Sequence, residues 1–160
     1  MRIKSGMEQA VYTLLLLTRV PDRNTLTSEA ISERLDVSPS YLKKLMRLLV
    51  QAGLVESITG TKGGFSLARS PKGITLYDIF QAVEGRGAFF QGKGMALSVF
   101  DSKETHPQED CVLAKVMKKV EDKWAQAMSE ETLTTLMEQI EEFYDVEKVD
   151  EWIREKTLMN

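Results

Sequence analysis

The sequence predicts a mainly α-helical fold that carries one small β-hairpin. Along most of its 160 residues, apolar side chains recur at intervals of three and four, the spacing of amphipathic helices. That interval shortens to two on either side of the glycine-rich stretch TGTKGGFSLARSP, residues 59–71, which is typical of two short strands joined by a turn. Hydroxyl, proline and glycine residues stand where helices should begin and end.

Two helices open the chain. The first has apolar residues in helical spacing from Met7 to Leu17 and must end before Pro21. The second begins at Thr27, whose hydroxyl can cap its first turn, and ends before Val37. Its core-facing residues are Ala30, Ile31 and Leu35.

A third helix follows at once. Ser38 is a favourable N-cap and Pro39 a favourable first residue, while Gly53 allows the left-handed turn that ends many helices. The apolar face of this helix comprises Leu42, Leu45, Met46, Leu49 and Ala52. Because only two or three residues separate it from the second helix, the two should cross steeply, as in a helix-turn-helix that reads DNA.

The hairpin comes directly after this pair of helices, with strands expected over residues 54–58 and 65–68. A hairpin in that place is a wing. Gly60, Gly63 and Gly64 allow positive φ and close backbone approach, and Lys62 puts a charge at the exposed tip. Such a tip suits the minor groove beside a helix in the major groove.

Helices are also expected after the wing. Thr75 should cap a helix over Leu76–Glu84, whereas residues 88–110 show no sustained period and are predicted to form a packed loop or arm. A long amphipathic helix is expected from about residue 109 to residue 128, another from Thr132, and a last helical segment around Trp152.

Charge is unevenly distributed along the chain. Residues 1–80 hold 11 Lys and Arg against 7 Asp and Glu, whereas residues 81–160 hold 10 against 17. The basic amino half favours a polyanionic partner. Cys111 is the single cysteine and His106 the single histidine, so one chain can form neither an internal disulfide nor a Cys/His-rich metal site. We expect a cytoplasmic protein without a membrane span, since the most apolar segment, residues 10–17, is too short.

Four stretches together resemble the Rrf-type winged helix-turn-helix transcriptional regulators, a family that includes an iron–sulfur cluster regulator and a cysteine-metabolism repressor. The stretches are MRIKSGMEQAVYTLLLL, ISERLDVSPSYLKKLMRLLVQAGLVES, the wing with SPKGITLYDIFQAVEG, and CVLAKVMKKV leading to ETLTTL. The resemblance covers most of the chain, and it depends on the order and spacing of all four.

The resemblance implies a homodimer that binds a palindromic operator in double-stranded DNA, with each recognition helix in a major groove and the long helix as the dimer interface. It divides the chain into a winged helix-turn-helix DNA-binding domain at residues 1–86, a loop or arm with a candidate sensing role at 87–110, and a helical dimerisation region with a C-terminal extension at 111–160. The expected fold class is therefore mainly α with a β-hairpin wing and a long dimerisation helix.

Two of this chain's departures from the family pattern bear on its candidate sites. Members that hold an iron–sulfur cluster use three cysteines, of which only Cys111 is present here, so we expect no such cofactor and no metal site. The arginine usual in the wing falls at Thr59, which would pass the minor-groove contact to Lys62.

Candidate DNA-binding residues lie on three elements. On and before the third helix they are Ser38, Ser40, Tyr41, Lys43, Lys44 and Arg47; on the wing they are Thr59, Gly60, Lys62, Gly63 and Gly64; near helix starts they are the phosphate anchors Arg2, Thr27 and Ser28. The ordinary alternative for each is a solvated charge or a helix cap. Cys111 is either a redox or electrophile sensor at a helix N-terminus or a small apolar residue.

An enzyme is not expected. The sequence contains no Gly-x-Ser-x-Gly motif and no phosphate-binding glycine loop that ends in Lys-Ser/Thr. The predicted function is a sequence-specific transcriptional regulator, with repression favoured over activation and an unknown redox or small-molecule effector. The alternative is a protein-interaction module that uses the helix-turn-helix without binding DNA.

Overall fold

The computed structural model describes residues 5–60, 63–93, 95–100 and 112–158. Their helices are α1 (Ser5–Thr18), α2 (Ser28–Leu35), α3 (Pro39–Gln51), α4 (Leu76–Glu84), α5 (Ala96–Val99), α6 (Val112–Glu130), α7 (Leu133–Phe143) and α8 (Glu147–Leu158), with a 3₁₀ turn at Pro71–Gly73. Strands β1 (Val55–Ile58) and β2 (Gly64–Leu67) form an antiparallel hairpin between α3 and α4. The mainly helical fold with one hairpin wing is confirmed. Within the described ranges, no helix has both the length and the apolar character needed to cross a bilayer.

Helix α1 is the centre of the core. It contacts α2, α3, α4, α7 and β2, and the side chains of Ala10 and Leu14 are wholly inaccessible to solvent. The buried Thr13 hydroxyl donates to the Gln9 carbonyl at 2.7 Å, so that no polar group of this side chain is left without a hydrogen bond. Helices α2, α3 and α7 therefore all pack against α1.

The wing is fastened to the helices by a third short piece of extended chain. The register of the hairpin runs from Val55 opposite Leu67 to Ile58 opposite Gly64. Leu26, just before α2, exchanges backbone hydrogen bonds with Phe65 at 3.1 and 2.8 Å. The wing and the start of α2 therefore hold a fixed relation to each other.

The wing glycines serve two different purposes. Gly60 has φ of +112°, a conformation that side chains rarely adopt. Gly64 instead allows close approach, because a Cβ added there would lie 2.6 Å from the Leu26 carbonyl oxygen and 2.7 Å from Thr25 Oγ1. Gly63 is similarly crowded by the carbonyl oxygens of Ile58 and Gly60 at 2.8 Å. Glycine is thus needed at Gly60 for its positive φ. At Gly63 and Gly64 it is needed because a Cβ would collide with backbone oxygens.

We expect Gly64→Ala to destabilise the protein by about 2 kcal/mol, because backbone atoms of the Leu26 segment would have to move. Gly73→Ala is the matched control, since a Cβ there meets no atom within 4 Å. Urea unfolding followed by circular dichroism measures both variants. Equal unfolding midpoints for the two variants would contradict the crowding argument.

The C-terminal helices pack onto the same core. The Leu133 N–H donates to the Ile74 carbonyl at 3.0 Å, and the Leu76 N–H donates to the Glu131 carbonyl at 2.8 Å, which joins the start of α7 to the start of α4. Leu133 is fully buried, and Ile153 of α8 is 1% exposed in the same cluster as Leu14. Helix α8 is therefore part of the core.

Ion pairs join Arg19, the residue that follows α1, to α7 and α8. The guanidinium of Arg19 donates to both carboxylate oxygens of Asp150, and to Glu141 at 2.6 Å. The hydrogen bonds from Arg19 hold the pKa of Asp150 below its ordinary value of 3.8, although partial burial acts in the opposite direction. The same contacts raise the pKa of Arg19.

This pair predicts a pH dependence of stability. Because the pKa of Asp150 is lowered on folding, its contribution is present above about pH 4 and is lost as the pH falls through the lower folded value. We expect Asp150→Asn to cost about 1 kcal/mol at pH 7 and progressively less below pH 4. Urea midpoints measured from pH 2 to 7 test this, with the exposed neighbour changed in Glu151→Gln as the control. A constant difference between wild type and Asp150→Asn across that range would contradict the assignment.

Candidate nucleic-acid interface

The outer face of α3 carries an ordered set of polar side chains. Ser40, Lys43, Lys44 and Arg47 are spaced at intervals of three, one and three residues, which places them along one side of the helix, and all four are exposed. The opposite side inserts into the core through Leu42, Leu45, Met46 and Leu49, each no more than 3% exposed. The core therefore fixes which side of α3 faces outward.

The charge of this face is uncompensated. The sequence has no Asp or Glu between residues 37 and 55, and the described part of the chain gives no ion pair to Lys43, Lys44 or Arg47. Three cations at helical spacing thus form a positive stripe. We call Ser40, Lys43, Lys44 and Arg47 the α3 stripe.

The turn between α2 and α3 sets the angle of the stripe. Asp36 adopts a left-handed conformation with φ of 51° and ends α2, and the Val37 N–H donates to the Ser32 carbonyl at 3.0 Å. Ser38 then accepts a hydrogen bond from the Tyr41 N–H at 3.3 Å, which caps α3. The cap at Ser38 and the proline after it are as predicted, and they also place the Ser38 hydroxyl at the exposed helix start.

The side chain of Tyr41 packs against α1 and does not extend outward with the α3 stripe. A Cβ added to the buried Gly6 would come within 2.9 Å of the Tyr41 hydroxyl oxygen, so the ring lies against the beginning of α1. Its exposed fraction is 37%. Contact between Tyr41 and DNA would therefore involve the ring edge rather than a freely extended side chain.

The wing and the start of α2 share a shallow groove of about 350 Å³. It brings together predicted residues that are more than 30 positions apart in sequence, namely Thr27, Ser28, Thr59, Gly60, Gly63 and Gly64. The Thr27 hydroxyl caps α2 by accepting from the Ala30 N–H at 3.2 Å. Four further residues line this groove and were not predicted from the sequence: Glu29, Ser57, Ile58 and Phe65. The alternation of side chains between the two faces of β1 was the sequence signal that could have identified Ser57.

Three predicted site residues lie outside the described residues: Arg2, Lys62 and the candidate sensor Cys111. His106 also lies outside them. Their roles stay predictions from the sequence. Among the described residues, no three His, Cys, Asp or Glu side chains come together as metal ligands do.

Helix α6 has an apolar side that the rest of the described chain leaves uncovered. The exposed fractions are 74% for Val112, 54% for Leu113, 49% for Val116 and 50% for Val120. Further along the helix, Trp124 makes edge contacts with the rings of Phe80 and Phe89 at centroid distances of 4.5 and 4.7 Å. The second half of α6 is thus packed against α4 and Phe89, while the first half presents an apolar surface.

A family model described as Rrf2, iron-dependent transcriptional regulator, matches residues 3–139. The chain is 60% identical to YwgB of Bacillus subtilis (strain 168) over 153 residues. The matched region covers 96% of this chain and 95% of that protein. It is 39% identical to YffB of Lactococcus lactis subsp. lactis (strain IL1403), over 97% of this chain and 99% of that protein. Both relatives are named as HTH-type transcriptional regulators.

Solved structures share the fold. The protein titled T. potens IscR superposes with a TM-score of 0.64 at 25% identity, covering 89% of this chain and 90% of the other. The structure titled CymR, the global cysteine regulator of B. subtilis, gives a TM-score of 0.60 at 22% identity, covering 85% of this chain and 95% of the other.

Proposed function

This chain belongs to the Rrf2 family of transcriptional regulators, and from that membership we propose that it acts as a homodimeric repressor on a palindromic operator. Like the other members of this family, it is a DNA-binding transcriptional regulator and not an enzyme. The observation that carries the proposal is the α3 stripe, three uncompensated cations and a hydroxyl held outward by a buried opposite face.

In this proposal α3 enters the major groove, which is about 12 Å wide and admits one helix. Lys43, Lys44 and Arg47 can donate to guanine edges or to phosphates, whereas the hydroxyls of Ser38 and Ser40 suit phosphate oxygens. Arg47 has the planar donor fork that pairs with the two acceptors of a guanine. Specificity would come from base contacts, and most of the affinity from phosphates.

The groove between the wing and the start of α2 would bind the DNA phosphate backbone next to the major groove that α3 enters. Thr27 and Ser28 lie at the N-terminus of α2, where free N–H groups and the helix dipole favour an anion. Thr59, Gly60, Gly63 and Gly64 form the opposite wall and present little side-chain bulk, so a phosphate strand can approach closely. Lys62 at the tip would enter the minor groove. The carboxylate of Glu29 opposes this contact, which makes the wing the weaker of the two.

The dimer would form through the uncovered side of α6. Leu113, Val116 and Val120 are spaced at three and four residues, so they lie on one side of the helix and can pack against the same side of a second copy. Two α3 stripes about 34–36 Å apart would then reach successive major grooves on one face of the duplex.

The residues of this chain do not fit a three-cysteine iron–sulfur cluster, although the description of the family model includes iron dependence. A single cysteine cannot supply three thiolate ligands. We therefore propose a regulator without that cluster, whose signal is a small molecule or a redox change at Cys111. We also place it in the cytoplasm, where a DNA-binding regulator reaches the chromosome.

Selection of bound fragments from genomic DNA by the purified full chain tests this function. We expect enrichment of short palindromic sites, and gel-shift binding to them that weakens steeply between 50 and 200 mM salt. Retention without sequence preference, or no retention at low salt, would overturn the proposal and favour the protein-interaction module. Reporter expression from an enriched promoter, with and without the protein, tests repression.

A further inference from the structure

A cavity of about 330 Å³ lies on the side of the molecule formed by α1, α2, α7 and α8, and the function proposed above does not use it. Its walls are largely aliphatic. They include Leu15, Leu16, Leu35, Met137, Ile140 and Val149. A cavity of this size is at the small end of those that hold ligands in proteins. It suits a short apolar chain.

Two guanidinium groups line this cavity, and they differ in what surrounds them. Arg19 is paired with two carboxylates, those of Asp150 and Glu141, as described above. Arg34 instead stacks on the ring of Trp152, with its central carbon 5.1 Å from the ring centroid. In the described part of the chain Arg34 has no carboxylate partner. Stacking occupies the face of a guanidinium and leaves the N–H groups at its edge able to donate.

The acidic residue in the lining of the cavity is bound to the backbone at the start of α8. Asp145 accepts a hydrogen bond from the Glu147 N–H at 2.9 Å, at the start of α8. Arg34 is the cationic group at this cavity that no carboxylate of the described residues neutralises, and its planar fork matches a carboxylate. The polar and apolar parts of the site would contact opposite ends of the same ligand.

We propose that this cavity binds a small aliphatic carboxylate, with its chain among the leucine, methionine and isoleucine side chains and its headgroup on Arg34. The rim would include Tyr12 and Tyr144, which are 48% and 70% exposed. Trp152 holds the guanidinium in place from below.

The site is adjacent to the helix-turn-helix. Arg34 and Leu35 are the last two residues of α2, and Asp36 begins the turn that leads to α3. A ligand that contacts these residues and α8 at once would favour the arrangement of α2 in which both contacts form. The regulatory part of this inference rests on the proposed function, since it requires α3 to read DNA; the binding site itself does not.

Isothermal titration of the full-length protein with sodium octanoate tests the site, with octylamine as the matched cationic probe. We expect saturable binding of octanoate and at least tenfold weaker binding of octylamine. Arg34→Gln should weaken octanoate binding at least tenfold, and Arg86→Gln, which changes an exposed arginine elsewhere, should not. Equal affinity for the two probes, no binding of octanoate, or equal affinity in Arg34→Gln and wild type would overturn the proposal.

A second variant separates loss of the site from loss of the fold. Val149→Phe fills the cavity without changing charge, and we expect it to abolish octanoate binding while the circular dichroism spectrum is retained. Octanoate binding unchanged in a folded Val149→Phe protein would place the ligand elsewhere and contradict the proposal.

The same probe tests regulation. We expect saturating octanoate to change the affinity for a selected operator by about five- to tenfold in wild type and not in Arg34→Gln. Unchanged operator affinity with octanoate bound would overturn the regulatory role. Failure to bind DNA at all, with octanoate binding intact, would instead contradict the proposed function and support the cavity as a carboxylate site.

Discussion

Replacing Lys43 and Lys44 together by alanine should lower operator affinity by roughly 100-fold or more. A dimer loses four cations from its α3 stripes through this change. Each cation that neutralises a phosphate contributes about 0.9 to the slope of log affinity against log salt, so the slope should fall by about 3 to 4 if all four contact phosphates. Fluorescence anisotropy with a selected operator, at several salt concentrations between 50 and 200 mM, measures both quantities.

The control for this prediction has the same change in net charge. Lys123→Ala with Lys148→Ala removes two exposed lysines from α6 and α8, away from the stripe. We expect the control to keep its salt slope and to lose less than about threefold in affinity. If the two double variants bind alike, the stripe does not contact DNA, and the positive side of α3 is an ordinary solvated face.

The second large effect should come from Val116→Glu combined with Val120→Glu. Both side chains are about half exposed in the single chain, so carboxylates there are well solvated and the monomer should fold. In a dimer interface the same carboxylates would lose water and repel their copies in the partner. We expect light scattering to give a mass of 18.1 kDa instead of twice that value, and operator affinity to fall by roughly 100-fold because each half-site must then be bound singly.

Lys119→Glu provides the matched control for the dimer, since it changes the net charge by the same two units on the charged side of α6. This control should stay dimeric at micromolar concentration. A wild-type protein that scatters as a monomer, or a Val116→Glu/Val120→Glu protein that stays dimeric, would exclude this face of α6 as the interface.

Local signals predicted the elements that position α3. Thr27, Ser38 and Thr75 each accept the backbone hydrogen bond expected of an N-cap, and Gly53 has the positive φ that follows a helix end. Such signals depend on a few neighbouring residues and are therefore legible in one sequence. The outward direction of the α3 stripe followed from the same kind of evidence, because the apolar spacing of the helix assigns its opposite side.

Contacts between distant parts of the chain were not predicted. The apolar spacing around Trp152 indicated a helix, but it did not indicate that side chains of α8 contact α2 and the residue that follows α1. The pairs that make this contact, Arg19 with Asp150 and Glu33 with Lys156, are separated by more than 120 residues. Charged residues at such positions look like any solvated face. Residues 88–100 posed a different difficulty, since a single short helix, Ala96–Val99, has too few turns to show a period.

The packing of α8 has a consequence for the order of folding. Ile153 fills part of the core that Leu14 begins, although 139 positions (153 − 14) separate the two residues in sequence. A contact between such distant residues must close a long loop, which is slower than packing neighbouring helices. We therefore expect α1 to pack with α2 and α3 first, and α8 to complete the burial of α1 in a later step.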